Sequence, residues 1–217
     1  MTTCVIIDYG SGNLRSAAKA LEHSARTLRR EIDVKISNNP SDLVAAERIV
    51  LPGVGAFKAC KNGLNSIPEL LETLQEQVVH KAKPFLGICV GMQLMASQGK
   101  EHETTDGLNW ISGTVEAIKP DDSSLKIPHM GWNTIEFLSD HAIFQNFKSS
   151  QNQDHAYFVH SYQMNCLKSK ECLARTDYGG PITAIIGRDN LIGTQFHPEK
   201  SQSFGLNFLA NFLEWKP

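Results

Sequence analysis

Cys4–Ile7 is an unbroken apolar run that stops at Asp8-Tyr-Gly-Ser-Gly-Asn13. From Asn13 the period changes, and Leu14, Ala17, Ala18 and Leu21 fall at helical spacing. The pattern predicts a buried strand followed by an amphipathic helix, and it repeats. Asp33–Ile36 and Arg48–Leu51 read as strands, the second ending at Pro52-Gly-Val-Gly55. Ile67 to about Lys81 carries Leu70, Leu71, Leu74 and Val78 on one helical face. Phe85–Ile88 predicts another strand and Val90–Gln98 another helix. Parallel neighbours need a connection of about a dozen residues or more, so this alternation predicts an α/β fold with an open, mostly parallel central sheet flanked by helices. Functional loops in such sheets gather at the carboxyl ends of the strands, where all three glycine-rich turns fall.

The second half reads differently. Thr114–Ile118, Trp132–Leu138, Ala156–Met164, Cys172–Tyr178 and the pair Ile182–Gly187 and Leu191–Phe196 predict shorter, mainly antiparallel strands, the last two joined by an Arg188-Asp-Asn190 hairpin loop. Phe204 to Trp215 closes the chain as a helix, with Leu209, Phe212 and Leu213 at helical spacing. The most linker-like stretch, 149–154, reads as a surface loop, so one domain over residues 1–217 is expected.

Composition narrows the function classes. The 21 Lys and Arg residues nearly balance 23 Asp and Glu, which argues against a nucleic-acid surface. The N-terminus has no basic segment before its apolar run, and that run breaks at Asp8, so the expectation is a cytoplasmic protein without a signal peptide or membrane anchor. Five scattered cysteines without Cys-x-x-Cys predict reduced thiols, and eight histidines without close ligand spacing predict no metal. Gly10 and Gly12 after the first strand invite a dinucleotide reading, but the third position of that motif is Arg15; no P-loop motif occurs.

The chemistry points to Gly87-Ile-Cys89-Val-Gly91, which lies where a strand becomes a helix. Two glycines around a nucleophile allow the tight, strained elbow that lifts a reactive atom above a sheet. The N–H groups of the following turn would face the sulfur and a developing oxyanion. The alternative is a small buried hydrophobe, the role expected of Cys4, Cys60, Cys166 and Cys172. A thiol nucleophile needs a base. His197 is followed by Pro198, which favours an extended backbone, so Glu199 shares the face of His197 and can hold one ring nitrogen. The expected triad is Cys89, His197 and Glu199.

Gly-Ile-Cys-Val-Gly-Met-Gln93 together with Gln195-Phe-His-Pro-Glu-Lys-Ser201 resembles the class I glutamine amidotransferases, a family with a flavodoxin-like sheet. Met92 in place of a histidine, Leu51-Pro-Gly-Val-Gly-Ala-Phe57, Pro128-His-Met-Gly-Trp-Asn133, Tyr157-Phe-Val-His-Ser-Tyr162 and Asp8-Tyr-Gly-Ser-Gly-Asn13 are similar to the branch that serves imidazole glycerol phosphate synthases. Val90 stands where leucine is common, and residues 24–33 lengthen the first helical region. The resemblance implies glutamine hydrolysis through a Cys89 thioester, with no cofactor. It implies oxyanion donors at Val90 and in Gly53, Val54 and Gly55, and glutamine contacts at Gly55, Gln93, Ser161 and Tyr162. It also implies a heterodimer with a (β/α)8-barrel cyclase subunit that receives the ammonia, with Asn13, Trp132 and Lys200 at the interface. Two other readings stay open: a paralogue supplying ammonia for amino-sugar or surface-polysaccharide synthesis, and a non-catalytic thiol-sensing or binding module.

Overall fold

The computed structural model describes residues 2–145, Phe147 and 154–217, so the surface loop expected at 149–154 lies, apart from Asp154, outside the described residues. The chain begins with β1 (Thr2–Ile7), α1 (Leu14–Thr27), β2 (Ile32–Ser37), α2 (Pro40–Ala45), β3 (Arg48–Gly53), α3 (Phe57–Ser66), α4 (Leu70–Gln75), β4 (Phe85–Cys89) and α5 (Val90–Gln93). It continues with β5 (Gln98–Glu101), β6 (Glu103–Asp106), β7 (Gly113–Ala117), β8 (His129–Thr134), β9 (Glu136–Phe137), β10 (His155–His160) and β11 (Tyr162–Cys166). It ends with β12 (Cys172–Asp177), β13 (Pro181–Arg188), β14 (Leu191–Thr194) and α6 (Gln202–Glu214).

Among the described residues the main sheet runs β2-β1-β3-β4-β14-β13-β12-β9. The first five strands pair in parallel and the last three antiparallel, so the expected α/β sheet carries an antiparallel extension. β3 and β4 are buried along their whole length, which is why they read as continuous apolar runs rather than alternating ones. α1 turns Ala17, Ala18, Ala20, Leu21 and Ala25 inward and packs on α6; α2 packs on α4, and α3 on α4 and α5. Two smaller sheets, β10-β8 and β11-β7-β5-β6, complete the second half.

Four expectations needed correction, each for a tertiary reason. The helix expected over Val90–Gln98 is a single turn. Beyond Gln93 the carbonyls of Leu94, Met95 and Ala96 accept hydrogen bonds from Leu108, Asn109, Trp110 and Ile111 instead of from residues further along a helix. The strand expected over Ala156–Met164 breaks at Ser161, and its halves join different sheets. The one expected over Trp132–Leu138 likewise breaks at Ile135. The helix expected from Ile67 begins at Leu70, after Glu69 in the left-handed region, and widens to a π turn over Glu76–His80. α2, α3, β5 and β6 were not expected at all; the buried residues Phe57, Cys60 and Leu64 of α3 carry its helical signal.

Candidate active site

β4 delivers Cys89 to the carboxyl end of the sheet between β3 and β14, whose facing residues are Gly53 and, one pair earlier, Thr194 opposite Ile88. Cys89 then turns to φ 55° and ψ −112°, a conformation that an L-residue adopts only at a cost of about 1–3 kcal/mol. The flanking glycines have separate jobs. A Cβ on Gly91 would collide with the Leu51 carbonyl, and one on Gly87 would lie 2.7 Å from the Gly91 carbonyl oxygen. The elbow therefore closes only if both positions lack side chains. Gly91→Ala is expected to lower unfolding free energy by at least about 3 kcal/mol in urea titration, because backbone rather than a yielding side chain blocks the methyl group.

β14 runs parallel to β4 in register, so the residues after Thr194 rise on the same side as Cys89. His197 is held there by its backbone: its N–H donates to the Tyr157 carbonyl (3.0 Å), and its own carbonyl accepts from Ser201 Oγ (2.7 Å). Ser201 Oγ in turn accepts from the Tyr157 N–H (2.9 Å). His197 Nδ1 lies 2.9 Å from Glu199 Oε1, and both side chains are almost wholly buried. His197 Nε2 is buried without a hydrogen-bond partner. Burial alone pushes this imidazole down, yet the Cys89 sulfur and the Glu199 carboxylate beside it outweigh that and raise it to about 10. Its two neighbours therefore favour the protonated ring. The structure brings Cys89, His197 and Glu199 together as the sequence anticipates.

Cys89 and His197 border a cavity of about 200 Å³ lined also by Val54, Gly55, Val90, Gln93, Glu101, His160, Ser161 and Tyr162. The four residues expected to contact substrate, Gly55, Gln93, Ser161 and Tyr162, are thus all at the pocket. Gln93 Nε2 donates to the Tyr162 carbonyl (3.1 Å) and to Gln195 Oε1 (3.0 Å), and Gln195 Nε2 reaches Cys89 Sγ at 3.7 Å. Gln195, wholly buried, escaped sequence reasoning, although its place two residues before His197 puts it on the same face of an extended chain. Glu101 was missed with its strand: Oε2 accepts the Phe57 N–H at the start of α3 (2.7 Å), and among the described residues lining the cavity it is the one carboxylate.

The expected oxyanion donors divide. Val90 opens α5 beside the thiol, but α5 is one turn long and contributes its N–H groups rather than a long helix dipole. Gly53 belongs to β3, where a Cβ would strike the Tyr9 hydroxyl. The Val54 N–H is occupied, donating to Ser11 Oγ (3.0 Å), while the Ser11 hydroxyl donates to the Val54 carbonyl (2.7 Å). Val54 is therefore not a free donor in this structure. Gly55 sits at φ +93° with open space around it, so the loop pivots there at little steric cost. The first Gly-x-Gly loop thereby finds its use as the latch on the second, Gly53-Val-Gly55.

The expected interface residues lie at the surface at this same end of the sheet. Asn13 is exposed and precedes α1 without a side-chain cap. Trp132 is 47% exposed on β8, edge-on to Tyr157, and Lys200 Nζ lies 5.8 Å from the centre of the same Tyr157 ring.

The sequence profile described as Glutamine amidotransferase class-I matches residues 5–215. The chain is 55% identical over 212 residues to the "Imidazole glycerol phosphate synthase subunit HisH" of Rhodopseudomonas palustris, and 56% identical to the protein of that name from Bradyrhizobium diazoefficiens. Each alignment covers 98% of both chains. In three dimensions it resembles "Crystal structure of glutamine amidotransferase" with a TM-score of 0.71 at 16% identity, over 97% of each chain. It also resembles the glutaminase domain of Trypanosoma brucei CTPS with bound acivicin (TM-score 0.68, 16% identity, 100% of this chain and 96% of that one). Those two likenesses speak for the fold alone. With the elbow cysteine, the His197–Glu199 pair and a profile match over nearly its whole length in agreement, this chain belongs to the class I glutamine amidotransferase family.

Proposed function

We propose that the chain is the glutaminase subunit of an imidazole glycerol phosphate synthase, acting in the cytoplasm, and that Cys89, His197 and Glu199 carry its chemistry. The observation that supports this most directly is the buried His197. One ring nitrogen is fixed by Glu199, and the other is unpartnered beside a thiol on a strained elbow.

With the thiol's proton held on His197, the Cys89 sulfur attacks the side-chain amide carbon of glutamine. The C–N bond then breaks while His197 passes the proton to the departing ammonia, leaving a glutamyl thioester. Water, deprotonated by His197, cleaves the thioester to glutamate and restores the thiol. Glu199, hydrogen-bonded to His197 Nδ1, supports the imidazolium at each transfer. Glu101 is placed to receive the substrate's α-ammonium at the cavity wall, with Ser161, Tyr162 and Gln93 around the rest of the amino acid. The Val90 N–H meets the oxyanion, joined by the 53–55 loop once Ser11 releases Val54.

Ammonia has to reach a second active site without mixing with solvent, so the glutaminase requires a docked acceptor. The names of the relatives describe one subunit of a synthase, and the acceptor proposed here is its (β/α)8-barrel cyclase, in a heterodimer. Among the described residues no helix is long and apolar enough to cross a membrane. Trp132, Lys200 and Asn13 would meet the cyclase. Trp132→Ala is expected to weaken the complex by at least about 2 kcal/mol, roughly thirtyfold in Kd, in isothermal titration of the two subunits. Affinity within threefold of the parent would move the interface elsewhere. The functional reading is tested by mixing the subunits and following glutamate release, which should be slow for this chain alone and rise on adding the cyclase and its ligand. An unchanged rate would count against coupling to that partner.

A further inference from the structure

Two buried histidines beside the pocket have no part in the mechanism above. His129 begins β8 and His160 ends β10, paired across the two-stranded sheet, and each is at least nine-tenths buried. His129 Nδ1 and His160 Nε2 lie 2.9 Å apart. The other nitrogen of each ring is also engaged: His160 Nδ1 with the Tyr162 carbonyl (2.9 Å), and His129 Nε2 with Asn133 Nδ2 (3.2 Å). The His129 ring is sandwiched between Phe158 and Tyr178, at 4.7 and 4.1 Å between centroids.

The direction of every bond in this chain is fixed from both ends. A carbonyl only accepts, so His160 must carry its hydrogen on Nδ1, and its Nε2 must accept from His129 Nδ1–H. At the far end Asn133 Oδ1 already accepts the Thr134 N–H (2.8 Å), which leaves Nδ2 as a donor toward His129 Nε2 and toward the Asp177 carbonyl (2.7 Å). The two constraints agree, and both rings are neutral Nδ1–H tautomers. Burial pushes each imidazole down to about 4, in keeping with that state.

The same Tyr162 carbonyl also accepts from Gln93, whose amide nitrogen holds Gln195, whose own amide nitrogen reaches the Cys89 sulfur. On the other side of β8, Met130 (61% exposed) and Trp132 project to solvent. We propose that His129 and His160 are positioning residues: with Asn133, the Tyr162 carbonyl on which His160 and Gln93 both converge as donors, Gln93 and Gln195, they form one continuous hydrogen-bonded network that sets the Cys89 thiol from the position of strand β8. This rests on the functional reading above and deepens it, because the strand that bears the proposed docking tryptophan is mechanically part of the nucleophile's support. A small shift of β8 changes the geometry of each bond in series, and fully satisfied buried chains of this kind are stiff.

The test uses the assembled two-subunit enzyme. His129→Phe keeps an aromatic ring between Phe158 and Tyr178 but deletes both ring hydrogen bonds. The expected result is about a tenfold fall in kcat for glutamine hydrolysis, the scale of one lost neutral hydrogen bond, with KM for glutamine within twofold of the parent. A kcat within twofold of the parent in folded enzyme, or a loss carried by KM alone, would overturn the proposal. A separate measurement needs neither activity nor the variant: two-bond ¹H–¹⁵N spectra of the parent at pH 7.5 should show both rings as Nδ1–H tautomers with a bare Nε2. An Nε2–H tautomer or an imidazolium in either ring would refute the network. Absence of glutamine hydrolysis by the parent complex would instead strike the functional reading and leave the tautomer result to decide this one.

Discussion

Replacing Cys89 by alanine is expected to reduce glutamine hydrolysis by the assembled enzyme about 10⁵- to 10⁶-fold, the scale seen when a covalent nucleophile is deleted from a preorganised site. The loss should lie in kcat. The pocket walls, including Gln93, Glu101 and the 161–162 turn, are built by other side chains, so KM should change little. Steady-state assays of glutamate release check this, with trapping of the thioester by hydroxylamine as the direct readout. A variant that kept even a hundredth of the parent kcat would end the case for a Cys89 thioester. The same position makes a second, opposite forecast for stability. Cys89 is held at φ 55°, so Cys89→Gly, which removes the Cβ, should unfold at a higher urea concentration than Cys89→Ala. Strain that serves the nucleophile is released when the nucleophile is abolished, and the midpoint difference measures it.

The second large effect is expected at Glu199. Glu199→Gln preserves size and an acceptor for His197 Nδ1, but removes the charge that supports the imidazolium. A fall in kcat of about 10²- to 10⁴-fold is expected, with glutamine KM nearly unchanged. The titration of His197 checks the physical cause. In the parent its folded pKa, about 10, stands above the ordinary histidine value, so the Cys89–His197–Glu199 cluster stabilises the fold fully below about pH 6.5 and loses that contribution as pH rises through the folded value. In Glu199→Gln the imidazole should titrate well below the parent value, and the alkaline decline in stability should start correspondingly earlier. An unmoved His197 titration would show that Glu199 does not set the charge of the base.

How much of this was legible in the sequence depends on the range of the physics. The elbow was readable because its constraint is local: Gly87 and Gly91 flank Cys89 within five residues, and the collisions they avoid involve the turn itself and one adjacent strand. The His197–Glu199 pair is also local, but the extended backbone expected across it holds only at His197: Pro198–Lys200 form a 3-10 turn, and that turn rather than strand parity carries the Glu199 carboxylate back to the ring. Parallel β1, β3 and β4 announced themselves as apolar runs because they are buried along most or all of their length, whereas the edge strand β2 alternates.

The misses share the opposite character. α5 stops after one turn because a segment fifteen residues downstream claims its next carbonyls, which no local periodicity encodes. The break at Ser161 sends one apolar run into two sheets, a choice made by which partners lie alongside. Gln195 and Glu101 look like ordinary polar residues until tertiary contacts place one beside the thiol and the other in the pocket wall. The occupied Val54 N–H depends on Ser11, 43 residues earlier.

By itself the sequence determined the candidate reacting groups, their order along the chain and the parallel sheet that carries them, because steric turns and burial patterns act over a few residues. Only the tertiary structure decided which amides brace the sulfur, that the oxyanion loop is latched, and that the surface strand carrying Trp132 continues through two neutral histidines toward Cys89. Those are hydrogen bonds between residues far apart in the chain, and their partners are chosen by the packing of whole elements rather than by any neighbouring residue.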